Sequence, residues 1–241
     1  MAQCKNCQTP FEGTFCPNCG QKDVDLARPL GKLVGEVLRE ALDVDGRVWR
    51  TVRTMIRHPG TVTREYLAGR RRLYTPPFRL YLVISVSFFV LVAWLASRGV
   101  LLDPGQTLEA DAASQAQFMS DDLPRLMFVL LPMFALLIKA VFPRRLYFDH
   151  IIFSVHFHSA AYVLLALTLP LERLAGEHWI PLVVQVVLLA YFVAYLVISV
   201  RAVYNASWTM ASVKSLTILF GYMVLLSIVI EATSNFQLLA D

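Results

Sequence analysis

The sequence has 241 residues, four cysteines and a mean hydropathy of +0.54. Charged residues make up 17% of it, against about 25% in soluble domains. Residues 1–77 hold 13 Lys/Arg and 8 Asp/Glu, while residues 78–241 hold 9 and 10. A soluble single domain, a disordered tail protein and a disulfide-rich secreted scaffold are excluded by that split, which leaves a basic polar head joined to a membrane-embedded body.

The head opens with Cys4-x2-Cys7-x8-Cys16-x2-Cys19, in the settings CKNC and FCPNCG. Two such knuckles supply four thiolates to a closed tetrahedral site, the arrangement of structural zinc; one CxxC alone would also fit a redox motif. A thiol-redox pair and an iron site remain the lesser alternatives. Residues 1–25 are therefore expected to form a zinc ribbon whose folding free energy comes from one structural Zn2+, with Phe11 and Phe15 covering it. Four ligands leave no open position for a substrate. Lys5 and Lys22 are balanced by Glu12, Asp23 and Asp25, so nucleic acid is disfavoured and a cytoplasmic protein partner, or a role as a cap on the body, is favoured.

Residues 26–77 read as basic juxtamembrane helices. Leu30, Leu33, Val34, Val37, Leu38, Ala41 and Leu42 recur at helical spacing. A second stretch, Arg47–Arg57, sets Val48, Val52, Met55 and Ile56 against Arg47, Arg50, Arg53 and Arg57, and His58-Pro59-Gly60 ends it. A short TVTREYLAG piece then leads to Arg70, Arg71 and Arg72. Basic amphipathic helices lie on anionic headgroups, which makes these seven arginines candidates for lipid-surface contact.

The body, 78–241, is expected to be all α, with about five transmembrane helices near 78–96, 126–142, 151–169, 179–200 and 210–230. Each is close to the roughly 20 apolar residues that cross a bilayer core of about 30 Å. Pro132 interrupts the second span, and Pro170 is expected to stop the third. The positive-inside rule places the N-terminus in the cytoplasm: Arg144, Arg145, Arg201 and Lys214 fall in loops on the head's side, and the acidic loop 98–125 falls opposite. Five spans then put the C-terminus in the periplasm. Lys139 is expected to snorkel to headgroups. The first apolar run begins only at residue 78, so no signal peptide is read.

The third span opens RRLYFDHIIFSVHFHSAAY. His150, Ser154 and His158 lie within an arc of about 80°, descending roughly 12 Å along the helix; Asp149 and His156 share another face. Ionisable groups inside a membrane are costly and default to function, although neutral histidines also bond helices together. With Tyr204, Asn205 and Trp208 on the same side, they define a candidate cytoplasm-facing polar pocket that would bind a metal, move a proton or hold a phosphate. Asn205-Ala-Ser207 matches a glycosylation sequon but lies on the cytoplasmic side. No GxSxG, HExxH, P-loop or GxGxxG occurs, so no reaction is named.

The pieces CKNC…FCPNCGQ (4–21), HPGTVTREYLAGRRRLYTPPFRLYL (58–82), FDHIIFSVHFHS (148–159) and RAVYNASW (201–208) together resemble an uncharacterised family of bacterial membrane proteins, a domain of unknown function with an N-terminal zinc ribbon. The resemblance implies a bacterial inner-membrane location and a cytoplasmic ribbon, and it brings no activity. The family's form of the last motif is close to Tyr-Gly-Gln-Ser-Trp, from which Asn205 and Ala206 depart. The functional expectation is a membrane-anchored binding or scaffolding module; the alternative is a transporter or membrane enzyme that uses the histidines of the third span.

Overall fold

The structure, a computed structural model, describes residues 2–22, 46–98, 123–175 and 179–240. The helix expected over 30–42 and most of the acidic loop 98–125 lie outside the described residues.

The head is built from two short strands, β1 (Ala2–Gln3) and β2 (Pro10–Phe11), paired antiparallel with Ala2 opposite Phe11, and from a bridge between Phe15 and Lys22. Its core is Cys4, Phe11 and Cys16. Phe11 covers the cysteines as expected. Phe15 does not: it is 59% exposed, because its strand contact points the ring outward from so thin a sheet.

Helices α1 (Arg47–Arg57) and α2 (Thr61–Leu67) form a hairpin with His58-Pro59-Gly60 at its tip. Met55, Thr51, Val62 and Thr63 are buried, and Val48, Val52 and Ile56 pack against the main core. The apolar side of α1, expected to lie on lipid, instead packs against the helical body; apolar area gains as much from a protein core as from lipid, and here the core also satisfies polar groups. Thr51 Oγ1 accepts from the Thr75 amide at 2.9 Å, and the Tyr191 hydroxyl donates to the Ile56 carbonyl.

The body is five helices: α3 (Pro77–Ser97), α4 (Leu123–Val141), α5 (Tyr147–Ala175), α6 (Trp179–Tyr204) and α7 (Trp208–Ala240). Among the described residues, Pro77–Ala96, Tyr147–Leu171, Trp179–Tyr204 and Trp208–Val229 are long and apolar enough to cross a membrane. The 19-residue α4 is the shortest, about 28 Å at 1.5 Å per residue. The chain is thus a multi-pass, all-α membrane protein. α5 runs through Pro170 to Ala175 rather than stopping there, since in a helix bundle proline bends a helix without ending it.

α5 is the central element. It touches α1, α2, α3, α4 and α6, and residues 152 to 160 are buried on every face. α6 and α7, by contrast, turn Leu182, Val186, Leu189, Val213, Phe220 and Ile228 outward, an apolar surface suited to lipid. Around Pro132, α5 supplies donors to α4: Ser154 Oγ bonds the Leu131 carbonyl at 2.8 Å and Tyr147 the Pro132 carbonyl at 3.0 Å. Both lysines of the spans serve the end of α4. Lys139 donates to the carbonyls of Pro143 and Arg145 rather than reaching away, and Lys214 donates to that of Val141 while sitting 4.0 Å from the Phe142 ring. Cations are favoured there because a helix C-terminus leaves carbonyls unpaired.

Candidate metal centre

The spacing of the cysteines fixes two knuckles of one design. In the first, the Gln8 amide donates to the Cys4 carbonyl at 2.8 Å and the Cys4 amide to Thr9 at 3.0 Å; in the second, Gly20 donates to Cys16 at 2.8 Å and Cys16 to Gln21 at 2.9 Å. The residue closing each turn has a left-handed backbone, with φ of 64° at Gln8 and 68° at Gly20. Glycine takes this readily and a polar residue accepts it at a cost.

The two turns bring all four Sγ atoms within 4.8 Å of one another. Cys4–Cys19 and Cys7–Cys16 are 3.6 Å apart, far from a disulfide bond of about 2.05 Å. A tetrahedral site with metal–sulfur bonds of about 2.3 Å has sulfurs about 3.8 Å apart, so the cluster fits a tetrahedrally bound metal ion. Charge points the same way. Hydrogen bonding from Thr9 pulls the Cys7 thiol down to about 6. At Cys19 the Gln21 amide favours the thiolate, but burial and the neighbouring sulfurs outweigh it and push the thiol up to about 11. Four crowded sulfurs ionise together only with a cation among them. A metal bound there would be structural, because every ligand position is filled by protein.

The cluster is docked on the segment that follows α2. The Gln21 side chain donates to the Gly69 carbonyl at 2.7 Å and accepts from the Arg71 amide at 3.0 Å. Gly69, at φ 84°, lies so close to Lys5 that a Cβ would come within 2.6 Å of its Cδ, and the Arg72 guanidinium passes 3.8 Å from where a Cβ of Gly20 would stand. Sequence reasoning quoted Gln21 within a motif but gave it no role, since its partners lie 48 and 50 residues away.

The lipid-contact arginines divide. Arg50, Arg53, Arg57 and Arg72 are exposed and Arg47 partly so. Arg70 pairs with Glu65, whose carboxyl it holds below the usual range, chiefly by hydrogen bonding. Arg71 lies over the Tyr66 ring at 4.6 Å.

The structure distributes the histidines of α5 over three interfaces. His150 Nδ1 is 2.8 Å from the Tyr204 hydroxyl on α6, and His156 Nδ1 is 3.0 Å from Thr63 Oγ1 on α2. His158 Nδ1 donates to the Ser154 carbonyl at 2.8 Å, so its Nε2 accepts from the Tyr222 hydroxyl on α7 at 2.9 Å. Only His150 and Tyr204 of the expected pocket meet. Asp149 faces Arg145 at 3.9 Å. Asn205, at φ 52°, turns the chain between α6 and α7, and Trp208 stacks under Arg201 at 4.4 Å. The left-handed turn accounts for Asn205 in place of the motif's glycine, because asparagine most readily replaces glycine there; nothing in the structure explains Ala206. Among the described residues, the cysteine cluster is the one group of three or more His, Cys, Asp or Glu side chains close enough to share a metal. Tyr222→Phe removes one buried hydrogen bond and should lower stability by about 1 kcal/mol, read as a shift in the melting transition in detergent with metal content unchanged.

The fold and site define a multi-pass helical membrane protein with a four-cysteine cluster at its head that could hold a metal ion. Residues 45–89 match the family described as Protein of unknown function (DUF3667). The matched segment spans the α1–α2 hairpin, the loop that holds the ribbon and the first half of α3. No curated protein and no solved structure matches the chain.

Proposed function

We propose that the chain is a membrane-anchored binding or scaffolding module of the bacterial inner membrane, with a zinc-folded ribbon on the cytoplasmic side. The observation that supports it best is the clamp of Gln21 on Gly69 and Arg71: a closed metal site with no open ligand position is fixed rigidly at the end of a membrane domain, as suits a surface for a protein partner. Phe15 is the exposed large apolar side chain of the described ribbon and the natural anchor for that partner. Arg50, Arg53, Arg57 and Arg72 would rest on anionic headgroups. The transporter or enzyme reading needs the α5 histidines to share a site, and each has a separate interhelix partner.

In cells, Cys16→Ser should abolish function and partner capture, whereas His158→Gln, which keeps an interhelix polar contact, should preserve both. The reverse pattern would overturn the scaffolding reading. A reporter fused after Asp241 should read periplasmic.

A further inference from the structure

The first turn of α3 gathers positive charge that no acidic side chain among the described residues pairs with. Pro76 is its N-cap and Pro77 its first helical residue, and no side chain caps this end. The first amide to bond within the helix is that of Leu80, to the Pro76 carbonyl at 2.9 Å, which leaves the amides of Phe78 and Arg79 pointing out of the helix end. Arg79 itself is 3% exposed, and its Nε and Nη2 are sealed from solvent with no hydrogen-bond partner. A guanidinium keeps its charge under any condition the fold survives. Helix side chains lean toward the N-terminus, which directs this one toward the end that carries the two free amides, the positive end of a 21-residue helix. Arg79 takes no part in the Glu65–Arg70 or Asp149–Arg145 pair.

From the unpartnered, buried guanidinium and the uncapped helix end together, we infer that the first turn of α3 binds the phosphate of an anionic lipid. A fork of N–H donors and a free helix N-terminus are the two protein features best matched to phosphate. Nη1 is not among the sealed nitrogens, which gives the phosphate its line of approach. The lipid source follows from helix phase. At 100° per residue Arg79 shares its face with Val86 and Val90, which are 60% and 64% exposed. A headgroup at Arg79 therefore leads its acyl chain onto an apolar stripe of the same helix. Free phosphate would use the first half of this site and gain nothing from the second. The inference rests on reading α3 as a membrane span, which resistance of the protein to carbonate extraction from membranes tests separately.

The test uses the full chain in neutral detergent, with lipid binding followed by native mass spectrometry and thermal melting. Wild type should take up one phosphatidylglycerol in preference to phosphatidylcholine, and phosphatidylglycerol should raise its melting temperature. Arg79→Gln should weaken that binding by about tenfold; Arg79→Lys, with charge but no fork, should fall between. Arg144→Gln, at an exposed arginine between α4 and α5, should change it by less than about twofold. Without lipid, Arg79→Gln should melt no lower than wild type, because it removes an uncompensated buried charge. Equal phosphatidylglycerol binding by wild type and Arg79→Gln would overturn the site. So would a lowered lipid-free melt in Arg79→Gln with equal lipid stabilisation of both proteins, the signature of a purely structural arginine. Arg79-dependent binding of inorganic phosphate but not of phosphatidylglycerol would overturn the lipid assignment. Loss of binding in Arg144→Gln but not in Arg79→Gln would leave the surface arginines in place and sink this site.

Discussion

Chelating a metal away from the four cysteines is expected to unfold residues 2–22 while the helices of the body stay folded. The described ribbon has two strands of two residues each and a core of Cys4, Phe11 and Cys16, too little apolar area to offset the ordering of its backbone. A metal held by the four cysteines would supply that stability, on the order of 10–16 kcal/mol for thiolate zinc sites at neutral pH. Hydrogen exchange reads this directly: the amides of Cys4, Gln8, Cys16 and Gly20, all bonded within the knuckles, should lose protection after chelation and in Cys16→Ser. Thiolates take up protons as metal leaves, so chelation should become easier as the pH falls. The consequence reaches past the ribbon. Once Gln21 is released, the Gly69–Arg72 segment loses its clamp, and trypsin should cut after Arg70, Arg71 or Arg72 far faster than in the loaded protein. Gln21→Ala should expose the same sites with the metal still bound, which separates docking from folding. Amides that stay protected in the stripped protein would show that the ribbon has another source of stability.

What could be read in the sequence is what local geometry decides. Two CxxC pairs specify a tetrahedral donor set because the knuckle turn is contained within five residues, and Pro59-Gly60 ends α1 because neither residue continues a helix. The five apolar runs became five helices for the same reason. Long-range choices were not legible. Burial and lipid exposure look alike in composition, since a span is apolar either way; nothing in hydropathy marks α5 as central and α7 as peripheral. A helical wheel set His150 and His158 on one arc, but it has no knowledge of which neighbour stands at each height, and Tyr204 and Tyr222 come from different helices. The amphipathic pattern of α1 called for an apolar partner without saying whether that partner was lipid or protein. In the sequence Arg79 is one charge at the start of an apolar run, and only the fold shows it buried. Gln21 has no periodicity to betray it.

Gly60→Val is expected to detach the α1–α2 hairpin from α6. Gly60 caps the start of α2 at φ 78°, a conformation that costs an L-residue about 1–2 kcal/mol and a β-branched one more. An added Cβ would also stand 3.0 Å from the Ser199 Cα, the Ser199 carbonyl oxygen and the Ala202 Cβ, and the backbone of α6 has no room to retreat in a packed bundle. Together these should cost about 3 kcal/mol, seen as a lowered melting temperature in detergent and faster exchange of the amides of α1 and α2. Gly13→Ala is the control for backbone strain alone, because φ is 109° there and nothing lies within 4 Å of the new Cβ; it should cost less and leave the hairpin untouched. Tyr191→Phe removes the other tie, the bond to the Ile56 carbonyl, for about 1 kcal/mol. If both ties hold one docked hairpin, the tyrosine should matter less once Gly60→Val has already freed it, and the two losses should be sub-additive. Full additivity would mean that the tip and the Ile56 carbonyl are held independently, and an unchanged melt in Gly60→Val would mean that the hairpin is not anchored at Ser199.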